Sequence, residues 1–163
     1  GRMDAGAPIV ETARDFATLL PSGGALLGLD LGTQTVGMAS CDAGWRFATP
    51  LGTLARGKFG ADAAKLSAIV AARTIKGVVI GLPRNMDGSE GSRAQASRAY
   101  ARNLSARLGL PVLLWDERWS TQSAERDLIS QDTSRKKRGA VIDSHAAAVI
   151  LQGAIDALAG GML

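Results

Sequence analysis

The chain has 163 residues, the size of one compact domain with its own core. Its 46% hydrophobic and 21% charged residues exclude a disordered chain, and its longest aliphatic run, the six residues Ala146 to Leu151, is far below the ~18 of a membrane helix. A net charge of +4 suits a polyanionic partner, and the single Cys41 excludes a disulfide framework and a cysteine zinc cage.

No basic head followed by an apolar segment marks a secretory signal, and a lone thiol suits a reducing compartment, so the expected location is the cytoplasm. Ile9, Thr12, Ala13, Phe16 and Leu20 stand at helical spacing and predict a short amphipathic helix, ended by Pro21-Ser22-Gly23-Gly24. Residues 1–23 therefore read as an N-terminal extension, and residues 24–163 as the main domain. Leu26 to Leu31, Val36 to Cys41 and Arg46 to Leu51 predict an antiparallel meander of three strands. A helix over Asp62 to Thr74 leads to the apolar strand Val78-Val79-Ile80, which ends at Gly81-Leu82-Pro83. A helix over Ser92 to Leu108, with Ala94, Ser97, Ala101, Leu104 and Leu108 on one arc, leads to a fifth strand over Val112 to Trp115. Helices near Thr121 to Ile129 and Ile142 to Leu158 follow, separated by the basic stretch Gln131 to Gly139. The order predicts an α/β domain, a five-stranded mixed sheet covered by helices on both faces.

Three acids occupy telling places. Asp30 stands in the otherwise apolar Leu27-Gly28-Leu29-Asp30-Leu31-Gly32, where an ionised carboxylate costs several kcal/mol unless compensated. It either faces a bound cation or accepts backbone bonds in the following turn. Glu117 ends the strand through Trp115; because strand side chains alternate, it and Asp116 cannot share a face, so one is a candidate ligand and the other second to it or solvated. A surface pairing of Glu117 with an arginine is the competing reading. Asp143 begins the last helix on the stripe Asp143, Ala147, Ile150, Ala154, either as a third ligand or as an N-terminal cap. Three carboxylates at strand ends or a helix start, without a His or Cys cluster, select a hard cation, Mg²⁺ or Mn²⁺. Two such ions suit phosphodiester hydrolysis. Arg93, Arg98, Arg102 and Arg107 make one helix basic, and Arg135-Lys136-Lys137-Arg138 form a run before Asp143; each is either a phosphate contact or a solvated face. His145, two positions from Asp143, reads as helix surface, and Cys41 as packing.

Gly28-Leu29-Asp30-Leu31-Gly32-Thr33, the stretch Gly81-Leu82-Pro83-Arg84-Asn85-Met86-Asp87-Gly88-Ser89-Glu90-Gly91, Asp116-Glu117-Arg118-Trp119-Ser120-Thr121 and Asp143-Ser144-His145-Ala146-Ala147 resemble, in order and spacing, the YqgF or RuvX family of bacterial RNase H-like nucleases. The resemblance spans residues 25 to 158. It implies an RNase H-like fold, metal-dependent cleavage of nucleic acid, and Asp30, Glu117 and Asp143 as catalytic metal ligands. It also implies a role as a Holliday junction resolvase or as a nuclease maturing the 5′ end of small-subunit ribosomal RNA. Nucleic-acid contacts are expected from Arg84, Arg93, Arg118, Arg135, Lys136, Lys137 and Arg138. Two positions depart from the family pattern: Gln34 and Thr35 replace a basic pair, and Ser92 replaces a proline and is expected to act as a helix N-cap. A non-catalytic RNA- or DNA-binding module is the alternative function. An actin-like ATPase, suggested by the same glycine-containing start, ranks lower because it needs a second domain.

Overall fold

The computed structural model describes residues 7–119 and 135–160, and for residues 135–143 the helix backbone alone. The elements are strand β1 (Ile9–Val10), helix α1 (Ala13–Leu19), strands β2 (Ala25–Leu31), β3 (Thr35–Cys41) and β4 (Thr49–Ala55), helix α2 (Phe59–Arg73), strand β5 (Ile75–Leu82), helix α3 (Ser92–Leu108), strand β6 (Val112–Asp116), a 3₁₀ turn (Glu117–Trp119) and helix α4 (Arg135–Gly160). The described strands form one sheet in the order β1-β6-β5-β2-β3-β4. β1, β6, β5 and β2 run parallel, and β3 and β4 continue the sheet antiparallel.

The sheet is buried on both faces, and side-chain alternation divides its strands between two cores. Leu27, Leu29, Val78, Ile80, Val112 and Leu114 meet α2 and α3 on one side. Leu26, Val79, Leu113 and Trp115 meet α1 and α4 on the other. Close approach of α4 depends on small residues. A Cβ at Gly28 would stand 2.8 Å from Leu151 Cβ and 3.2 Å from the Ala147 carbonyl oxygen, so only glycine in β2 admits the helix at this depth.

Several expectations need correction. The sheet has six described strands rather than five, because Ile9 and Val10 extend alongside Val112 and Leu113 instead of starting the helix. Thr12 caps α1, accepting the Asp15 N–H at 3.1 Å. The third strand of the meander is Thr49–Ala55, shifted from Arg46 to Leu51. Its pairing with β3 slips between Met38 and Ala39, and Gly52, at φ +108°, breaks the alternation that marks a strand. Pro50 is tolerated there because β4 is an edge strand. Gly91, without a side-chain bond, is the N-cap of α3, so Ser92 is its first residue and not its cap. α4 begins at Arg135, which puts Arg135 to Gly139 on helix rather than in a loop. The helix expected near Thr121 to Ile129 lies outside the described residues.

Candidate active site

Asp30 is the second-last residue of β2, half-buried, and on the α4 side by alternation with Leu26 and Gly28. One step beyond the Leu29–Ile80 pair, it lies level with Gly81 in the neighbouring strand. Gly81 in turn pairs with Trp115 of β6, and Glu117 follows two residues later. The glycine decides the arrangement. A Cβ at Gly81 would meet Ile150 Cδ1 at 2.6 Å, Glu117 Cγ at 3.0 Å and Glu117 Cδ at 3.1 Å. The Glu117 side chain thus lies over Gly81, under α4, on the face that Asp30 shares. Strands ~4.8 Å apart put the Asp30 and β6 backbones ~10 Å from each other, a gap that two carboxylate side chains can narrow over the empty glycine.

α4 crosses this face. Ser144 fixes its descent: Oγ accepts from the Gly52 N–H at 2.9 Å and donates to the Met38 carbonyl at 3.4 Å. Residue 143 precedes it on the helix backbone, one turn before Ala147. The Asp143 side chain, like those of Arg135, Lys136, Lys137 and Arg138, lies outside the described residues. Among the described residues no group of three His, Cys, Asp or Glu stands together.

The donor set suits a hard divalent ion. Carboxylate oxygens from Asp30 and Glu117 share a strand-end face, the placement where open α/β sheets gather ligands. Cys41 sits at the far end of β3 opposite Leu26, and burial pushes its thiol up to about 11, so it stays protonated and offers no thiolate. His145 is half-buried on α4.

Asp116 points to the other face, as alternation requires, but it is neither solvated nor beside Glu117. It is buried, accepting from the Arg118 backbone N–H at 2.9 Å, from Arg118 Nη2 at 2.6 Å and from Arg84 Nη1 at 3.4 Å. Burial would raise this carboxyl; the Arg118 bonds and the Arg84 charge outweigh burial and hold it below the usual carboxylate range. The arginine anchors residues 116 and 118, and Glu117 is held between them. Arg84 further contacts Glu11 at 2.9 Å and Glu90 at 3.2 Å, and Arg98 contacts Glu90 at 2.7 Å and Glu11 at 3.1 Å. Two of the arginines expected at phosphates, Arg84 and Arg118, therefore hold carboxylates, whereas Arg93 donates to the Leu31 carbonyl at 3.0 Å. Trp119 stands edge-on to Trp115, with ring centroids 5.1 Å apart, and is 56% exposed.

Sequence reasoning missed Arg56. It follows the last residue of β4, and its Nη1 donates to the Gly32 carbonyl at 2.6 Å, two residues beyond Asp30. No local pattern marks it, since the sequence places the end of the strand that delivers it four residues earlier, at Leu51.

Residues 24–157 match the family model RuvX, described as Holliday junction resolvase. A curated relative from Novosphingobium aromaticivorans, named "Putative pre-16S rRNA nuclease", is 62% identical over 152 residues, 93% of this chain and 97% of its own. A relative of the same name from Sphingopyxis alaskensis is 60% identical over 150 residues, 92% and 98% of the two chains. Among solved structures, Thermus thermophilus RuvC in complex with Holliday junction substrate aligns over 84% of this chain and 96% of its own, with a TM-score of 0.52 and 13% identity. That likeness is one of fold, and the shared fold is RNase H-like. The family model spans strands β2 to β6 and all but the end of the helix that crosses them, and the two relatives run nearly the full length of the chain, so the protein belongs to the RuvX family.

Proposed function

We propose that this protein is a divalent-metal-dependent endonuclease that hydrolyses phosphodiester bonds of structured nucleic acid, either the precursor of 16S ribosomal RNA or a branched junction. The observation that carries the reading is the sharing of one sheet face by Asp30 and Glu117, across a glycine that leaves room between them. Asp30, Glu117 and Asp143 are the residues that would hold Mg²⁺ or Mn²⁺. Such ions supply activation of water and stabilisation of the departing oxygen when bound. The chain's own part is positional. Asp30 is fixed by a central strand, and Glu117 by the Asp116–Arg118 bonds on either side of it. The carboxylates concentrate negative charge that repels a phosphodiester, and the net charge of +4 over the whole chain offsets this at longer range.

The test is cleavage of a precursor 16S ribosomal RNA, a four-way DNA junction and a plain duplex side by side in Mn²⁺. Wild-type protein is expected to cut the first or second in preference to the duplex, and Asp30→Asn to lose at least about 100-fold in rate, since even partners behind the ligands of a metal site account for 10- to 100-fold. Full activity of a correctly folded Asp30→Asn variant overturns the reading.

A further inference from the structure

The arginines at the C-terminal edge of the sheet fall into two sets. Arg84, Arg98 and Arg118 are neutralised by Glu11, Glu90 and Asp116. Arg56 and Arg93 are not: among the described residues, their polar contacts are to backbone carbonyls, Gly32 for Arg56 and Leu31 for Arg93, and the Arg56 guanidinium also lies 5.5 Å from the Tyr100 ring centroid. A guanidinium has about five N–H donors, and each of these bonds takes one, so among the described residues both side chains keep unused donors. They flank a cleft of about 100 Å³ that Thr33 and Ser97 also line. The cleft is built from the end of β4, the turn after β2 and the first turns of α3; it opens at the same strand ends as Asp30 and Glu117, on the α3 face, whereas they stand on the α4 face.

We propose that this cleft is a phosphate subsite: Arg56 and Arg93 grip a backbone phosphate of the nucleic-acid strand near the bond presented to Asp30 and Glu117. The inference rests on the nuclease reading and adds to it the residues that set the strand's register. Planar guanidinium groups match the paired oxygens of a phosphodiester, and contacts of this type position a strand without reading its bases. The carbonyl bonds tether both side chains to the turn, so little freedom is lost when the phosphate arrives. The subsite also supplies cations close to Gln34 and Thr35, which carry none.

Binding of the preferred substrate is measured in Ca²⁺, with a single uncharged methylphosphonate linkage walked along the strand. With wild-type protein, one linkage next to the cleaved bond is expected to weaken binding about 10-fold when neutralised. Arg56→Gln/Arg93→Gln is expected to bind wild-type substrate about 10-fold more weakly, to lower the slope of log affinity against log salt by about one to two, and to be indifferent to that linkage. Arg56→Lys/Arg93→Lys retains the charge and most of the slope. The absence of any sensitive linkage beside the cleaved bond with wild-type protein overturns the proposal, whether or not the glutamine variant folds. So does an unchanged salt slope in a folded glutamine variant. Stabilisation by inorganic phosphate that the glutamine variant loses, without a sensitive linkage, marks a free-anion site and also overturns it. Absence of Mn²⁺ cleavage together with a sensitive linkage refutes the nuclease reading alone.

Discussion

Gly81 is the residue on which the proposed site turns. Any side chain there enters space held by Ile150 and by the Glu117 side chain. Gly81→Ala is expected to destabilise the fold by ~1–3 kcal/mol through overpacking, seen as a lower urea midpoint, and to reduce Mn²⁺ cleavage. Adding Ile150→Val removes the methyl group at 2.6 Å and should recover part of the stability, whereas cleavage stays low because the contacts with Glu117 persist. Recovery of both together would mean that Glu117 is not displaced. At this scale the placement of Asp30 and Glu117 is legible in the sequence, since a carboxylate in an apolar strand and one directly after a strand are visible one residue at a time. The ion pairs of Arg84 and Arg118, from which nucleic-acid contacts are expected, are not legible in it. Their carboxylate partners include Glu11, 73 residues from Arg84, and Asp116, which faces away from Glu117. Only the folded chain shows that those charges are already spent.

The segment between β5 and α3 is pinned by Glu90, which both Arg84 and Arg98 contact. Its bonds to Arg98 bring the Glu90 carboxyl down to about 2 from an ordinary 4.5, against the opposing effect of burial, and Arg98 likewise lowers Glu11. A depressed folded-state pKa contributes stability that is complete above the unfolded value and is lost as pH falls through the folded one. Thermal stability is therefore expected to decline between about pH 4.5 and pH 2. Glu90→Gln should melt lower than wild type at pH 6, with the difference closing as the pH approaches 2. A difference that does not change with pH would assign the effect to packing. Elements with strong internal periodicity were legible in advance: α3 was expected over Ser92 to Leu108 and is found there. β1 was not, because two residues pairing with a strand about 100 positions away carry no local signature. β4 was misplaced because a glycine at positive φ and a slipped register hide its alternation.

The order of the sheet was legible only in part. The runs around Val79 and Leu113 announce strands buried on both faces, and the helices between them imply parallel neighbours, but the place of β1 beside β6 follows from tertiary contact alone. Asp30 belongs to β2, one of the two innermost strands, and Glu117 leans on the other, β5, at Gly81. Amides in such strands exchange with solvent only when the whole domain opens, whereas edge strands fray separately. In native-state deuterium exchange, β2 and β5 should be the last to label, and loss of cleavage on heating should coincide with loss of secondary structure. A carboxylate mounted as Asp30 is cannot slip out of place while the body survives: its strand is either whole or wholly undone.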